Sequence, residues 1–213
     1  MLINLRNALM AGKKSPLPPG ARWVEYLESD GGQYVDTGVV PVFPDELTYA
    51  ARVYYANTQK RSIQGRQGAF YFGVIYQKLQ PGLGVTGYVN VAILPATWYD
   101  VTCKFTTGLR SGLSGTIDYD VGGISGSFSA YFTDAPAGGP IWLFVANDAT
   151  TLRGQNRLAK FSIYRRGVLI RDFRPIAIGT TGYMLDLVSG EYLPYGNKGT
   201  GNFVLGPDIP SPV

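Results

Sequence analysis

The chain has no histidine and a single cysteine among its 213 residues, and only 16% of it is charged. Without histidine there is no Ser-His-Asp or Cys-His relay, no imidazole zinc ligand and no imidazole general base. The lone Cys103 allows neither an intramolecular disulfide nor a cysteine-rich metal knuckle. No stretch approaches the roughly 20 apolar residues that a membrane-spanning helix needs. What the chain has in quantity is glycine (28) and proline (14), with 45% hydrophobic and 13% aromatic residues. That balance predicts short strands and tight turns around a substantial core, and it is too aromatic for a disordered chain.

Charge is distributed unevenly. The net charge is +4, and residues 1–22 hold Arg6, Lys13, Lys14 and Arg22 with no acid, so the whole excess lies there. The rest of the chain is balanced. A basic protein ordinarily suggests nucleic acid or an anionic membrane, but with a neutral body neither partner is expected.

Leu2, Leu5 and Leu9 recur at i, i+3 and i+7, which predicts a short amphipathic helix stopped by Gly12. About ten residues is too short for a stable isolated helix in water, so the stripe is expected to dock on its own domain or on a partner. Residues 13–20 are proline-rich and read as a semi-rigid spacer. Residues 1–22 are therefore taken as an N-terminal arm whose docking residues are Leu2, Leu5, Arg6, Leu9, Lys13 and Lys14. A secretory signal is not expected, because no positive charge precedes the apolar part and asparagines interrupt it.

From Trp23 onward the apolar pattern has period two. It predicts strands at 23–28, 33–38, 48–56, 69–76, 87–93, 99–105, 115–119, 125–132, 141–145, 157–165 and 168–175, separated by clusters such as Gln80-Pro81-Gly82, Val121-Gly122-Gly123 and Arg166-Gly167. The fold expected is all-β: a two-sheet antiparallel jelly-roll sandwich as one domain over 23–207, with an extended tail at 208–213.

The ends of that domain go beyond pattern. Glu25-Tyr26-Leu27-Glu28-Ser29-Asp30-Gly31-Gly32-Gln33-Tyr34 runs on to Thr37-Gly38. Near the other end stand Phe161-Ser162-Ile163-Tyr164, Asp172-Phe173-Arg174-Pro175, Gly182-Tyr183-Met184-Leu185-Asp186-Leu187 and Gly199-Thr200-Gly201-Asn202-Phe203. These blocks resemble the opening and closing segments of the laminin-G-like, concanavalin A-like jelly rolls of phage and gut-bacterial proteins. The resemblance implies the fold and leaves function open among lectins, glycosidases, adhesins and virion proteins. In physical terms, Tyr26 with Tyr34 and Leu27 with Val35 are expected to pair across a hairpin. Asp186 is expected to accept backbone N–H bonds at its turn.

Candidate chemistry is sparse. Asp118 and Asp120 share one strand face and offer a carboxyl pair of the kind glycoside hydrolysis needs, but they sit beside a Gly-Gly turn that explains them. Asn147, Asp148, Asp118, Asp120 and Asp134 are loop oxygens for calcium without a recognisable ligand spacing, so no cofactor is expected and calcium is the alternative. Tyr54, Tyr71 and Tyr76, in aromatic-rich strands, are candidates to stack on a sugar, with Asn147 and Asp148 beside them. The basic cluster Arg153, Arg157, Lys160, Arg165, Arg166, Arg171 and Arg174 has only Asp172 near it in sequence, and strand alternation spreads it over two faces. Cys103 reads as a buried, inert thiol.

The sequence expectation is thus a non-enzymatic phage virion protein: a capsid decoration, head-fibre or tail-appendage subunit on the virion surface. Its arm would join other virion subunits, with homo-oligomers allowed. The alternative is a glycan-binding module, an adhesin or lectin on a bacterial surface or phage tip, which could also hold host or mucus glycans.

Overall fold

The computed structural model describes residues 17–42, 45–56, 62–66, 69–75, 77–79, 81–83, 85–86, 91–107, 114–131, 139–147 and 155–210. The predicted arm helix, with Leu2, Leu5, Arg6, Leu9, Lys13 and Lys14, lies outside the described residues. Among the described residues there is no α-helix, only one 3-10 turn at Leu193–Tyr195. The strands are β1 (Ala21–Val24), β2 (Leu27–Ser29), β3 (Val35–Asp36), β4 (Glu46–Tyr55), β5 (Ser62–Arg66), β6 (Ala69–Ile75), β7 (Lys78–Leu79), β8 (Gly82–Leu83), β9 (Val85–Thr86) and β10 (Thr97–Thr106). They continue with β11 (Ser114–Val121), β12 (Ile124–Tyr131), β13 (Trp142–Leu143), β14 (Ala146–Asn147), β15 (Asn156–Arg165), β16 (Val168–Ile178), β17 (Thr181–Asp186), β18 (Val204–Leu205) and β19 (Asp208–Ile209).

Two sheets result. The larger has the order β12-β11-β10-β4-β15-β16-β1-β19, with β2, β17 and β18 joined to it, and the smaller runs β3-β13-β5-β6-β8-β9 with β7 and β14. Pairing is antiparallel throughout except between β14 and β5. The chain is therefore an all-β two-sheet sandwich, consistent with a jelly-roll type.

Period-two patterning decides which faces meet. Along β4, Leu47, Tyr49, Ala51, Val53 and Tyr55 are buried, while Glu46, Thr48, Ala50, Arg52 and Tyr54 point outward. In β10, Val101, Cys103 and Phe105 are buried and Asp100, Thr102 and Lys104 are not. Across the sandwich β6 contributes Phe70, Phe72 and Val74. Tyr49 lies with its ring centroid 5.1 Å from Phe105, 5.5 Å from Phe161 and 6.3 Å from Phe72. Such aromatic pairs add about 0.5–1.5 kcal/mol each beyond the burial of their area. The Tyr49 hydroxyl, which could not be left unpaired here, donates to the Phe70 carbonyl at 3.0 Å and ties the two sheets together.

Some expectations are corrected. The first predicted strand is two, β1 and β2, which bend apart at Glu25-Tyr26. Tyr26 does not pair with Tyr34, nor Leu27 with Val35: β2 belongs to the large sheet and β3 to the small one. The chain turns a corner between them instead of folding into a hairpin. Ser29 Oγ donates to Gln33, whose amide oxygen accepts from Asp30 N, while Gln33 Nε2 reaches the Thr200 carbonyl at 2.9 Å. Leu27 therefore meets Leu158 and Leu205, Val35 meets Leu143, and Tyr34 stacks on Trp142 at 4.1 Å. At the other end β19 pairs with β1, and Ile209 and Leu17 pack against a small cluster of Trp23, Ile176 and Leu185.

Cys103 is fully buried, and burial pushes its thiol well above the ordinary range. A raised value keeps the sulfur protonated, and the thiolate is the reactive form. The folded protein should leave a chromogenic disulfide reagent unreacted at mildly alkaline pH and react once denaturant is added. Fast labelling of the native state would contradict this packing.

Candidate functional site

The outward face of the large sheet carries the most concentrated set of functional side chains. Register brings it together. Trp98 on β10 stands directly opposite Tyr54 on β4, Tyr54 opposite Arg157 on β15, and Arg157 opposite Glu28 on β2. These residues lie far apart in sequence but form one row across four neighbouring strands, about 4.8 Å per strand. Tyr26 joins from the bend between β1 and β2, where backbone bonds from Glu25 N to Pro207 O and from Gly206 N to Tyr26 O, both 2.9 Å, hold the chain.

All three rings are half-buried. Trp98 lies 5.5 Å from Tyr54 and 5.8 Å from Tyr26, tilted by 55° and 51°. The Arg157 guanidinium sits between the two tyrosines, 4.7 Å from the Tyr26 ring centre and 4.5 Å from that of Tyr54. Arg52, one row along the same face, lies 5.7 Å from the Trp98 ring. A cation over an aromatic face is attracted by the ring quadrupole, by about 0.5–1 kcal/mol where water has access.

Glu28 fixes Arg157. Its carboxylate is nearly buried and accepts from Arg157 Nε at 2.7 Å and from Gln155 Nε2 at 3.0 Å. A carboxylate withdrawn from water needs such partners. Burial by itself lowers the Arg157 guanidinium, but the hydrogen bond and charge of Glu28, with Tyr26 and Tyr54, outweigh it and hold the group above its ordinary range. Arg52 pairs with Asp100 at 2.9 Å, and since both are largely exposed the pair adds little stability.

Of the sugar-stacking candidates, Tyr54 is part of this face. Tyr71 is not: it is 2% exposed in the core, so its ring does not reach the surface. Tyr76 and Asp148 lie outside the described residues, and the backbone of Asn147 is in β14 of the small sheet, paired with Arg66. Asp118 lies opposite Lys104 and Ser127, and Asp120 accepts from Gly123 N at 3.1 Å and from the Ser125 hydroxyl, as a turn carboxylate does. Among the described residues no group of three or more Cys, Asp or Glu side chains is arranged to hold a metal ion. Sequence reasoning did not reach Tyr26, Trp98, Arg52 or Arg157 as a group. The i, i+2 pairs Arg52/Tyr54 and Trp98/Asp100 were available as a signal, but the cross-strand register that joins them was not.

The arrangement presents flat apolar ring faces bordered by planar guanidinium groups and carboxylates on an open sheet surface. Rings of this kind accept the C–H face of a flat saturated ring, and the fork-shaped donors and carboxylate acceptors suit hydroxyl groups at its rim.

Compared with protein families and with curated proteins, the chain matches none. Among solved structures it matches a candidate carbohydrate binding protein from Bacteroides ovatus ATCC 8483, with a TM-score of 0.60 and 12% identity, over 90% of this chain and 62% of that one. The chain thus spans less than two thirds of that protein's length, and the likeness shows a shared fold. Two peptidase structures match less well. Scytalido-glutamic peptidase with a transition state analog inhibitor has a TM-score of 0.38 at 11% identity, over 65% of this chain and 82% of that one. A member of the Eqolisin family of peptidases has 0.35 at 13%, over 70% and 84%. The expectation of a non-enzyme is corrected on this finding and is not carried further. At these scores the matches assign the chain no reaction.

Proposed function

We propose that this protein is a carbohydrate-binding jelly-roll module whose binding surface is the outer face of the large sheet around Trp98, Tyr54 and Tyr26. The observation that carries the reading is the cross-strand row itself: three half-buried rings, with Trp98 within 6 Å of both tyrosines, rimmed by Arg52, Arg157 and Asp100. The shared fold with a candidate carbohydrate binding protein supports it. An open face with stacking rings suits an extended polysaccharide, whose successive sugars lie across the strands along the row of rings.

The test is a glycan array with the full chain, followed by titration of the strongest hit. Trp98→Ala and Tyr54→Ala should each weaken that hit by about tenfold or more, the loss typical of removing a central aromatic anchor. Both rings are on the outer face, so circular dichroism should be unchanged. No glycan bound at all, or binding indifferent to both substitutions, would reject the reading. The phage virion display role rests on the arm, which lies outside the described residues. No observation in the sandwich favours it over carbohydrate binding.

A further inference from the structure

We infer that the polysaccharide taken by this face is anionic, with its carboxylate or sulfate group received by Lys160 beside Arg52. The inference rests on the carbohydrate reading above and adds the charge of the ligand.

The basic cluster of residues 153–174 supplies the argument, because tertiary structure neutralises most of it. Arg157 is paired with Glu28, Arg165 with Asp45 at 3.1 Å, Arg171 with Asp186 at 3.7 Å, and Arg174 with Asp172. Lys160 is different. Among the described residues it has no carboxylate within ion-pair distance. Its cross-strand neighbour on β4 is Arg52, another cation. Like charges placed directly opposite on adjacent strands are destabilising. Arg52's own counter-charge, Asp100, sits on the far side of it from Lys160. The row Asp100-Arg52-Lys160 therefore carries one uncompensated positive charge.

That charge lies where a sugar substituent would. The row is two residues along the strands from the Trp98-Tyr54-Arg157 row, roughly 7 Å, about the breadth of one sugar unit. A β-bulge between Leu158 and Lys160 shifts the register just before the lysine, and bulges commonly re-aim a side chain beside a binding site. A sugar ring stacked on Tyr54 can thus direct an acidic substituent to Lys160, one strand over and one row along.

Single-stranded nucleic acid, the other anionic polymer that rings and arginines suit, is less favoured. The rings are tilted at more than 50° to one another, and a guanidinium covers a face of both tyrosines. Stacking of successive bases needs open, sequential platforms along a continuous positive track. Farther along this face Asp118, Asp120 and Glu46 interrupt any such track.

The test uses two matched pairs of polymers with the full chain: polygalacturonate against its methyl ester, and dextran sulfate against dextran. At least one acidic member should bind about tenfold more tightly than its neutral partner, with the preference falling as salt rises. In Lys160→Met the preference should drop below about threefold while binding to the neutral partner stays unchanged. Because this substitution also removes the opposition to Arg52, its thermal midpoint should not fall. Equal or tighter binding of both neutral partners overturns the inference, as does a preference that survives Lys160→Met. So does failure to bind any of the four polymers, or tighter binding of an oligothymidylate than of either acidic polymer. If neutral polymers bind and Trp98→Ala abolishes that binding, the carbohydrate reading stands and only the charge assignment fails.

Discussion

Asp186→Ala should lower the free energy of unfolding by about 3–5 kcal/mol, the cost of stripping a buried charge network of one partner. Asp186 is fully buried at the end of β17. One carboxylate oxygen accepts the backbone N–H of Asp172 at 2.9 Å and of Val188 at 3.1 Å. The other accepts the Ser189 hydroxyl at 2.8 Å and faces Arg171 Nε at 3.7 Å. Alanine leaves two amides, a hydroxyl and a half-buried guanidinium short of a partner, each unmet buried group costing about 1–3 kcal/mol. Asp186→Asn keeps an oxygen for the two amides but removes the charge and turns the acceptor facing Ser189 and Arg171 into a donor, so it should cost less than alanine, about 1–3 kcal/mol. Chemical denaturation measures both. A loss below about 1 kcal/mol for the alanine variant would mean that water replaces the carboxylate and that the network adds little. The Trp98 face is built on other strands, so the folded fraction of either variant should bind glycan as before.

Gly199→Ala should cost about 3 kcal/mol or more, at the upper end of what overpacking does. A methyl group there would lie 1.9 Å from the Gly32 carbonyl oxygen, which is backbone and has no rotamer to escape into. To admit it, the loop bearing Gly199 must part from the corner at 29–33, which breaks the bond from Thr200 N to Gly32 O and strains that from Lys198 N to Tyr34 O, both 2.9 Å. Gly167→Ala is the matched control. Gly167, in the two-residue turn between β15 and β16, has φ +75 and open space around it. The only cost there is a side chain in the left-handed region, about 1 kcal/mol. If the two variants lose the same stability, the close approach of the two loops is not what the structure shows.

How far the sequence could be read is clearest in single elements. Period-two alternation was enough for β4 and β10, because each buries one face and a slip of one residue would expose it. The role of Asp186 was also legible, since a carboxylate next to a Ser-Gly turn has nearby amides to accept from. The corner at 29–33 was not. A Ser-Asp-Gly-Gly turn looks the same in sequence whether the chain returns to its own sheet or crosses to the other. Here the decision comes from Gln33, whose side chain is tied to Thr200, 167 residues away. Strand β5 passed unnoticed because Ser62–Arg66 has no clear alternation.

The binding face divides in the same way. Tyr54 was legible as an outward aromatic from β4 alone, whereas Tyr71 was chosen on equal grounds and is buried. The difference is that β4 faces solvent on its even positions, while β6 keeps Phe70 through Val74 all buried. No period-two pattern can show which strand has a second covering layer. The basic cluster changed most. In sequence it had one acid nearby; in space Glu28, Asp45, Asp172 and Asp186 each take one arginine.

By itself, then, the sequence determined the material of this protein: strands rather than helices, a large aromatic core, no histidine chemistry and a neutral body. These follow from composition and local periodicity, which act over a few residues. Only the tertiary structure decided that Trp98, Tyr54, Arg157 and Glu28 form one row and that Lys160 has no counter-charge among the described residues. Register and sheet order set those neighbours, and both depend on backbone pairing between segments separated by up to 129 residues, which no local pattern encodes.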